Sequence, residues 1–366
     1  LQFRRSAIPT QALYAPAPAA FAAFPMPTST APLASIVIPV HGAFAHTLAC
    51  LRALAAHPPK AAFELIVVDD ASKDDSLAKL GQIAGIRIHP RATNGGFIAA
   101  CNDGAALAHG KFLVFLNNDT LPQPGWLDAL LGTFDAHADA GLVGAKLVYP
   151  DGRLQEAGGV VFADGSGWNY GRHDSADDCR YAYMRDVDYV SGAAIAIPRA
   201  LFGALGGFDA RYAPAYYEDT DLACAVPNAG LRVLYQPAAV VVHDEGGTAG
   251  TDLTQGPKAA QVRNRSVFAD KWQEALRAQL PAGTLPTPAL LHRKQHQILI
   301  IDALTPQPDR DSGSLRLLNL MRLLIAEGAH VVFLPANRNA EGAYTAALQQ
   351  LGVECWHAPH MPGIPA

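Results

Sequence analysis

Four short runs of aliphatic and β-branched residues, separated by helical patterns, constrain this chain more than anything else in it. Residues 35–40 (Ser-Ile-Val-Ile-Pro-Val), 63–68 (Phe-Glu-Leu-Ile-Val-Val) and 112–116 (Phe-Leu-Val-Phe-Leu) are too short and too apolar for surface helices and read as buried strands. Residues 86–89 (Ile-Arg-Ile-His) read as a short third strand. Between the first two, Phe44, Leu48, Leu51 and Leu54 fall along one side of a helix over 44–56. Ser72 is placed to cap a helix running to Gly81, with Asp74 and Asp75 in its first turn, where the helix dipole favours acids. Gly95-Gly96 opens a third helix that runs to Gly110. Strand–helix–strand alternation of this kind builds a doubly wound parallel sheet, in which ligands bind beyond the carboxyl ends of the strands.

Past Gly141 the pattern changes to shorter strands, Gly/Asp turns and scattered aromatics. A strand is expected over 188–197, a helix over 218–230, a last strand over 240–242 and a helix over 258–280 carrying Val262, Phe268 and Trp272. Residues 281–288 are a linker by composition. A fresh strand (298–301), helix (314–327) and strand (330–334) then begin a second βαβ unit. The expected organisation is a Pro/Ala-rich linker or extension over 1–34, a main domain over 35–280, a linker over 281–297 and an incomplete second domain over 298–366. The prolines at 16, 18, 25 and 27 interrupt the apolar start, and the absence of an initial Met reads as a piece cut from a longer protein.

Charge and cysteine content remove several classes. A formal net charge of −5 is the wrong sign for a nucleic-acid binder built on phosphate contacts. No apolar run approaches the ~18 residues of a membrane span. The five cysteines are far apart and include no C-x-x-C, which fits a reducing compartment better than a disulfide framework or a zinc ribbon.

Acids recur where strands end. Asp69-Asp70 closes the second strand, Asp119 the fourth, and Glu218-Asp219 with Asp221 opens a later helix, while His243 closes the last strand. A single such acid is usually a turn former or cap. Three acidic sites converging on one crevice repel one another unless a cation or proton compensates. A metal-bound diphosphate beside a base needs this arrangement: Asp119, with His243, to hold a divalent cation, and a separate carboxylate to deprotonate an attacking hydroxyl. Asp70 is placed to accept a hydrogen bond from a nucleobase N–H. The Gly95-Gly96 pair lets backbone approach a ligand closely.

In chain order, Val37-Ile38-Pro39-Val40, Val67-Val68-Asp69-Asp70-Ala71-Ser72, Asn94-Gly95-Gly96-Phe97 with Asn102, Phe115-Leu116-Asn117-Asn118-Asp119-Thr120, Gly206-Gly207-Phe208-Asp209 and Tyr217-Glu218-Asp219-Thr220-Asp221-Leu222 resemble the family 2 glycosyltransferases. The resemblance covers residues 35–280, and the subgroup it looks most like builds O-antigen, rhamnose-containing and other cell-surface polysaccharides. It implies an α/β A-type glycosyltransferase fold and inverting transfer from a nucleotide-diphosphate sugar (UDP- or dTDP-linked). The acceptor would be an oligosaccharide or lipid-linked glycan, with a cytoplasmic site of action and peripheral association with the membrane face.

By the same resemblance Asp219 is the general base with Glu218 the fallback, and Asn118-Asp119 stands for the D-x-D motif. Asn118 would lie near the ribose, Asp119 would ligate Mg²⁺ or Mn²⁺, and His243 would add a ligand. Pro39 and His41 would line the base pocket. Arg263 and Arg265, near the start of the last helix, are within reach of a diphosphate, though a solvated helix face explains them equally. The loop over 246–256 is a candidate lid. Trp168, Tyr170, Tyr181 and Tyr183 fall where acceptor-binding aromatics are expected, as ordinary packing residues also would.

The second unit looks like the opening of a B-type glycosyltransferase domain lacking its nucleotide-binding half. Three positions depart from the family pattern: His41-Gly42 where an aromatic and Asn are common, Ala210 where an acid is, and Pro227 where an Arg is. Pro227 should end or kink its helix near Val226, since an interior proline costs about 3 kcal/mol. Two rivals remain. A sugar nucleotidyltransferase would want a Lys or Arg in the loop after the first strand, which Val40-His41-Gly42-Ala43 lacks. A non-catalytic glycan-binding or scaffold module would not retain metal-dependent donor binding.

Overall fold

The computed structural model describes residues 13–16, 20–245 and 259–360. The candidate lid over 246–256 lies outside them. The chain divides into two compact units. One comprises the described residues of 12–172 and 186–284; the other comprises 173–185 with the described residues of 285–366.

The larger unit is built on one sheet. Its strands are β1 (Ala34–Val40), β2 (Phe63–Asp69), β3 (Ile86–Pro90), β4 (Phe112–Leu116), β5 (Thr120–Pro122), β6 (Ala140–Val148) and β7 (Leu154–Glu156). A two-stranded hairpin, β8 (Gly159–Val161) and β9 (Gly167–Asn169), stands apart, and β10 (Arg185–Asp186), β11 (Ala194–Pro198) and β12 (Arg232–His243) complete the sheet. The order is β10-β12-β6-β11-β4-β1-β2-β3, with β5 on β12 and β7 on β6. The β4-β1-β2-β3 half is parallel, as the continuous apolar runs require, and β11 enters antiparallel between β4 and β6. Every residue of β2, β4 and β6 is buried.

Helices α1 (Phe44–Ala56), α2 (Ser76–Leu80), α3 (Gly96–Ala106), α4 (Trp126–Ala136) and α5 (Arg199–Ala204) connect these strands. α6 (Glu218–Ala225), α7 (Ala259–Lys271) and α8 (Gln273–Leu276) complete the unit. Phe115 on β4 meets Phe202 and Phe208 with ring centroids 5.0 and 4.8 Å apart, tying β11, α5 and the Gly206-Gly207 turn into one core. Burying each such ring contributes about 1.5–3 kcal/mol.

Several boundaries differ from expectation for identifiable reasons. Ser72 does not cap a helix; its hydroxyl accepts the Gly42 N–H at 2.7 Å, and the helix shortens to α2. The helix expected over 218–230 stops at Ala225, and Pro227 sits in a 3₁₀ turn (Val226–Ala229) closed by left-handed Gly230. The last strand is twelve residues, not three, because β12 runs through Gln236-Pro237 by a register shift against β6. The strand expected over 188–197 contracts to β11. Residues 20–33 are not a loose linker: Met26 is buried, its N–H donates to Ala84 O (2.8 Å), and Ser29 N–H donates to Phe63 O (2.7 Å).

The smaller unit carries α9 (Pro288–Leu291), β13 (Gln297–Asp302), α10 (Ser312–Ala326), β14 (His330–Pro335), α11 (Ala343–Gln350) and β15 (Glu354–Cys355). The three strands are parallel in the order β13-β14-β15, a partial Rossmann-like βαβ array. Asp311 caps α10 by accepting the Ser314 N–H at 2.7 Å. Segment 173–185 packs into this unit, with Tyr181 and Tyr183 each 1% exposed, so these two rings belong to a core and not to an acceptor cleft. All five cysteines are free thiols.

Candidate active site

The site is assembled where strands end. β12 pairs with β5 so that His243 stands opposite Thr120, which puts Asp119 beside the imidazole. His243 Nε2 lies 3.3 Å from Asp119 Oδ1, both residues being buried. The orientation of His243 follows from a chain of partners. Glu245 Oε2 takes Arg172 (2.6 Å) and the Nε2 of Gln155 (3.4 Å), which turns Gln155 Oε1 toward His243 Nδ1 at 2.9 Å. An amide oxygen on Nδ1 places the ring proton there and leaves a lone pair on Nε2, facing a carboxylate oxygen. Two acceptors at that separation repel unless a proton or cation lies between them. Two cis ligands of an octahedral ion at about 2.1 Å would stand ~3 Å apart, and an imidazole oriented through its other nitrogen is the usual support of a metal ligand. The residues present therefore fit a hard divalent cation.

The paired acids Glu218-Asp219 open α6 after two tyrosines, Tyr216 and Tyr217, both held at φ 75°. Left-handed backbone at bulky residues costs about 1–3 kcal/mol each and persists only where surroundings impose it. Asn264 imposes it. Fully buried on α7, its Nδ2 donates to the carbonyls of Tyr212 (2.7 Å), Ala215 (3.0 Å) and Tyr216 (2.9 Å). Asp221 anchors the other side, accepting from Tyr212 OH (2.9 Å), Trp272 Nε1 (2.7 Å) and Lys271 Nζ (2.7 Å).

Two consecutive amides link the acids to the Asp119–His243 pair. Ser191 N–H donates to Glu156 Oε1 and Gly192 N–H to Asp219 Oδ2, each at 2.9 Å. Glu156 adjoins Gln155, so one turn clamps Asp219 beside the strand that orients His243. Tyr216 registers the convergence: burial, then the charges of Glu218, Glu245, Asp119 and Asp219, push its hydroxyl up to about 12.

The buried Glu156 and Glu218 and the half-buried Asp219 differ in what stabilises their charge. Burial pushes Glu156 up to about 8, and burial with the neighbouring Asp219 pushes Glu218 well above the usual range. Neither Glu156 Oε2 nor Glu218 Oε2 has a hydrogen-bond partner among the described residues. Asp219 is also raised by burial, but it accepts Gly192 N–H together with the N–H (2.7 Å) and hydroxyl (3.1 Å) of Thr220, donors that favour the ionised form. Of the pair, Asp219 is the better anion.

Other expected site residues have different surroundings. Asp70 Oδ1 accepts Gly95 N–H (2.9 Å) and Arg91 Nη1, and Oδ2 accepts Gly96 N–H (2.8 Å), so it organises the glycine turn; a nucleobase N–H would be a further donor, not its first. Gly96 is required there at φ 81°, since a Cβ would stand 2.6 Å from Pro214 Cβ. His41 is exposed beside this turn, its Nδ1–H donating to Asp70 O at 2.8 Å, and Pro39 is half-buried on β1. Asn118 is buried with its amide nitrogen donating to Thr47 Oγ1 on α1 (3.0 Å). Arg263 turns to the Ala213 carbonyl and to Asn264, and Arg265 faces Asp164 at 4.0 Å. Phe268 is fully buried and Tyr170 3% exposed, both packing residues. Asn118-Asp119-Thr120 and Asn264-Arg265-Ser266 match N-glycosylation sequons, but both asparagines are buried, which removes them as glycosylation sites.

An open α/β sheet with an acid and an imidazole at one strand terminus, and an anchored carboxylate beside them, defines an A-type glycosyltransferase fold. Residues 35–188 match the family model described as glycosyl transferase family 2, and the chain carries a domain of that family there. It is 29% identical over 257 residues to the uncharacterized protein y4gI of Sinorhizobium fredii, covering 68% of this chain and 28% of that one. It is 30% identical over 200 residues to the O-antigen biosynthesis protein RfbC of Myxococcus xanthus, covering 51% of this chain and 15% of that one. Against the N-acetylglucosaminyl-diphospho-decaprenol L-rhamnosyltransferase of Mycobacterium tuberculosis it is 26% identical over 240 residues, covering 58% and 78% respectively. The chain thus spans under a third of the length of y4gI and of RfbC. The crystal structure of GalNAc-T7 with UDP, GalNAc and Mn²⁺ shares the fold at a TM-score of 0.53 and 16% identity, covering 68% of this chain and 49% of that one. Among the described residues, no helix is long and apolar enough to cross a membrane.

Proposed function

We propose that the larger unit is a metal-dependent, inverting glycosyltransferase that moves a sugar from a nucleoside-diphosphate donor to a glycan acceptor in cell-surface polysaccharide synthesis. The observation that carries this reading is the lone-pair face of His243 directed at Asp119, linked through Gln155, Glu156 and the 191–192 turn to Asp219. Asp119 and His243 would hold Mg²⁺ or Mn²⁺, which supplies positive charge against the departing diphosphate.

This chain's residues do the rest. Asp219 accepts the proton of the acceptor hydroxyl as that oxygen attacks the anomeric carbon opposite the diphosphate. Its bonds to Gly192 and Thr220 fix the carboxylate in place. Burial raises the carboxyls of Glu218 and Glu156, which favours their uncharged forms and so lessens repulsion of the donor. Asp70, through Gly95, Gly96 and Arg91, shapes the crevice floor for the nucleoside, with His41 and Pro39 alongside. The M. tuberculosis relative acts on a lipid-linked acceptor by its name, and an acceptor of that class is the one we propose here.

Calorimetric titration with UDP, dTDP and GDP, each with and without Mn²⁺, tests the reading on wild type and Asp119→Ala. The expected result is tight binding of one nucleotide, lost without metal and in the variant. Binding of none, or binding indifferent to Asp119, overturns it in favour of a scaffold module.

A further inference from the structure

Arg172 is a cation tied by hydrogen bonds to the Asp119–His243 pair. It follows β9 in a turn where Gly171 sits at φ 79° and the Arg172 N–H donates to Asn169 O (3.3 Å). Its Nη2 donates to Glu245 Oε2 at 2.6 Å, the same oxygen that accepts Tyr149 OH (3.2 Å) and Gln155 Nε2 (3.4 Å). From Gln155 the contacts pass to His243 Nδ1 (2.9 Å) and, across the ring, to Asp119. The guanidinium lies over the Tyr149 ring, 5.9 Å from its centroid, which holds its plane. The same charge is felt on the side of Asp219. Burial raises Glu156 and Tyr189, the charge of Asp219 adds to the rise in both, and that of Arg172 opposes it.

Much of this guanidinium is unused where it stands. It carries five N–H donors in a planar fork. Glu245 takes one of the two hydrogens on Nη2 and is the one hydrogen-bond acceptor of the guanidinium among the described residues. The opposite two-pronged edge is left open, and the side chain is 37% exposed. Arg91, by comparison, is engaged by both Asp70 and Asp103.

A diphosphate entering here brings negative charge to a crevice that already holds acids. Asp119, Asp219 and Glu245 lie close enough together that all three, after burial, raise Tyr216. A divalent cation between Asp119 and His243 offsets part of that charge, and a second cation lowers the remaining repulsion. An open arginine edge matches phosphate oxygens in spacing and in charge. We propose, on the transferase reading above, that Arg172 binds a diphosphate in the active site, setting its open edge on phosphate oxygens while Nη2 stays on Glu245. Two diphosphates meet in such a reaction: that of the nucleotide donor and, for a lipid-linked acceptor, the one joining the acceptor sugar to its lipid.

The test reads binding, without turnover. Wild type and Arg172→Gln, both loaded with Mn²⁺, are titrated calorimetrically with inorganic pyrophosphate and then with matched pairs. UDP, dTDP and GDP against their monophosphates probe the donor side. GlcNAc joined to decanol through a diphosphate, against decyl GlcNAc, probes the acceptor side. Losing a charge-assisted contact should weaken pyrophosphate, and the diphosphate member of the pair that uses Arg172, by about 10–100-fold. The member lacking a diphosphate should change far less. Loss in the nucleotide pair assigns the donor's diphosphate, and loss in the glycolipid pair the acceptor's. Arg172→Lys, which keeps the charge without the fork, should recover part of the affinity. Uptake of Mn²⁺ alone, followed by its EPR signal, should be the same in Arg172→Gln as in wild type. Weakened uptake would mean that Arg172 acts only through Glu245, Gln155 and His243, and refutes the contact. Unchanged affinity for every diphosphate also refutes it, and leaves the transferase reading standing where wild type binds a nucleotide only with metal. If wild type binds no diphosphate at all, both fall.

Discussion

Asn264 offers a test that needs no substrate. Its two amide hydrogens serve three carbonyls of the 212–216 loop, one buried and two part-buried, and its oxygen accepts from Arg263 Nε (3.0 Å) and Nη2 (2.9 Å). Asn264→Ala leaves those carbonyls without their donor. Two lost hydrogen bonds, with their acceptors left unsatisfied, should cost about 2–4 kcal/mol. Asn264→Asp keeps the shape and the oxygen facing Arg263 but turns an acceptor toward three acceptors, and should cost at least as much as Ala. Urea unfolding at pH 7 reads both values. Because the loop delivers Tyr216 and Tyr217 in left-handed geometry to Glu218-Asp219, the Ala variant should also lose turnover beyond its loss of folded fraction. A destabilisation below about 0.5 kcal/mol, within the range of an ordinary surface change, or an Asp variant more stable than Ala, would refute the clamp.

Three further outcomes follow from described contacts. Asp219→Asn should keep metal-dependent nucleotide binding while turnover falls about 10²–10⁴-fold, the range for a general base; unchanged turnover removes that assignment. Glu156, raised from its ordinary 4.5 to about 8, keeps a proton when folded that the unfolded chain has lost. Its contribution to stability therefore falls as pH rises through that window, by up to about 1.4 kcal/mol per unit. Glu156→Gln should then gain on wild type in urea midpoint from pH 5 to 8, and parallel profiles would contradict the assignment. Gly104 sits on α3 where a Cβ would overlap Val37 Cγ1 and stand 3.0 Å from Val68 Cγ2. Gly104→Ala should destabilise by about 1–3 kcal/mol, against the gain of about 0.5–1 expected in an open helix, as thermal unfolding would show.

The strands visible in the sequence are those whose residues are apolar without interruption, such as β2 and β4. β6 is as deeply buried yet hides behind Gly141, Gly144 and Lys146. Gly144 is there because a Cβ would overlap Val190, a reason that depends on a residue far along the chain. β12 hides behind Pro237, which the register shift accommodates. The same division runs through the site. Asp119, His243, Glu218 and Asp219 stand at element ends, where local pattern exposes them. Gln155, Glu156, Gly192 and Asn264 act across the fold: Gln155 is 88 residues from the histidine it orients. No local spacing encodes such a partner. Asn264 carries one local signal, its place between Arg263 and Arg265, whose charges mask the amide.

The insertion of 173–185 into the smaller unit means that the two units are not exchangeable cassettes. Expressing the transferase part by stopping the chain near Thr284 would leave Cys179, Tyr181, Tyr183 and Met184, each under 5% exposed in the intact structure, stripped of their cover. Such a fragment would present a contiguous apolar patch and aggregate. A tractable fragment instead needs a second cut that removes 173–185. Recombination between genes faces the same arithmetic: two breakpoints must move together, so the pairing of these units is harder to shuffle than a linear tandem.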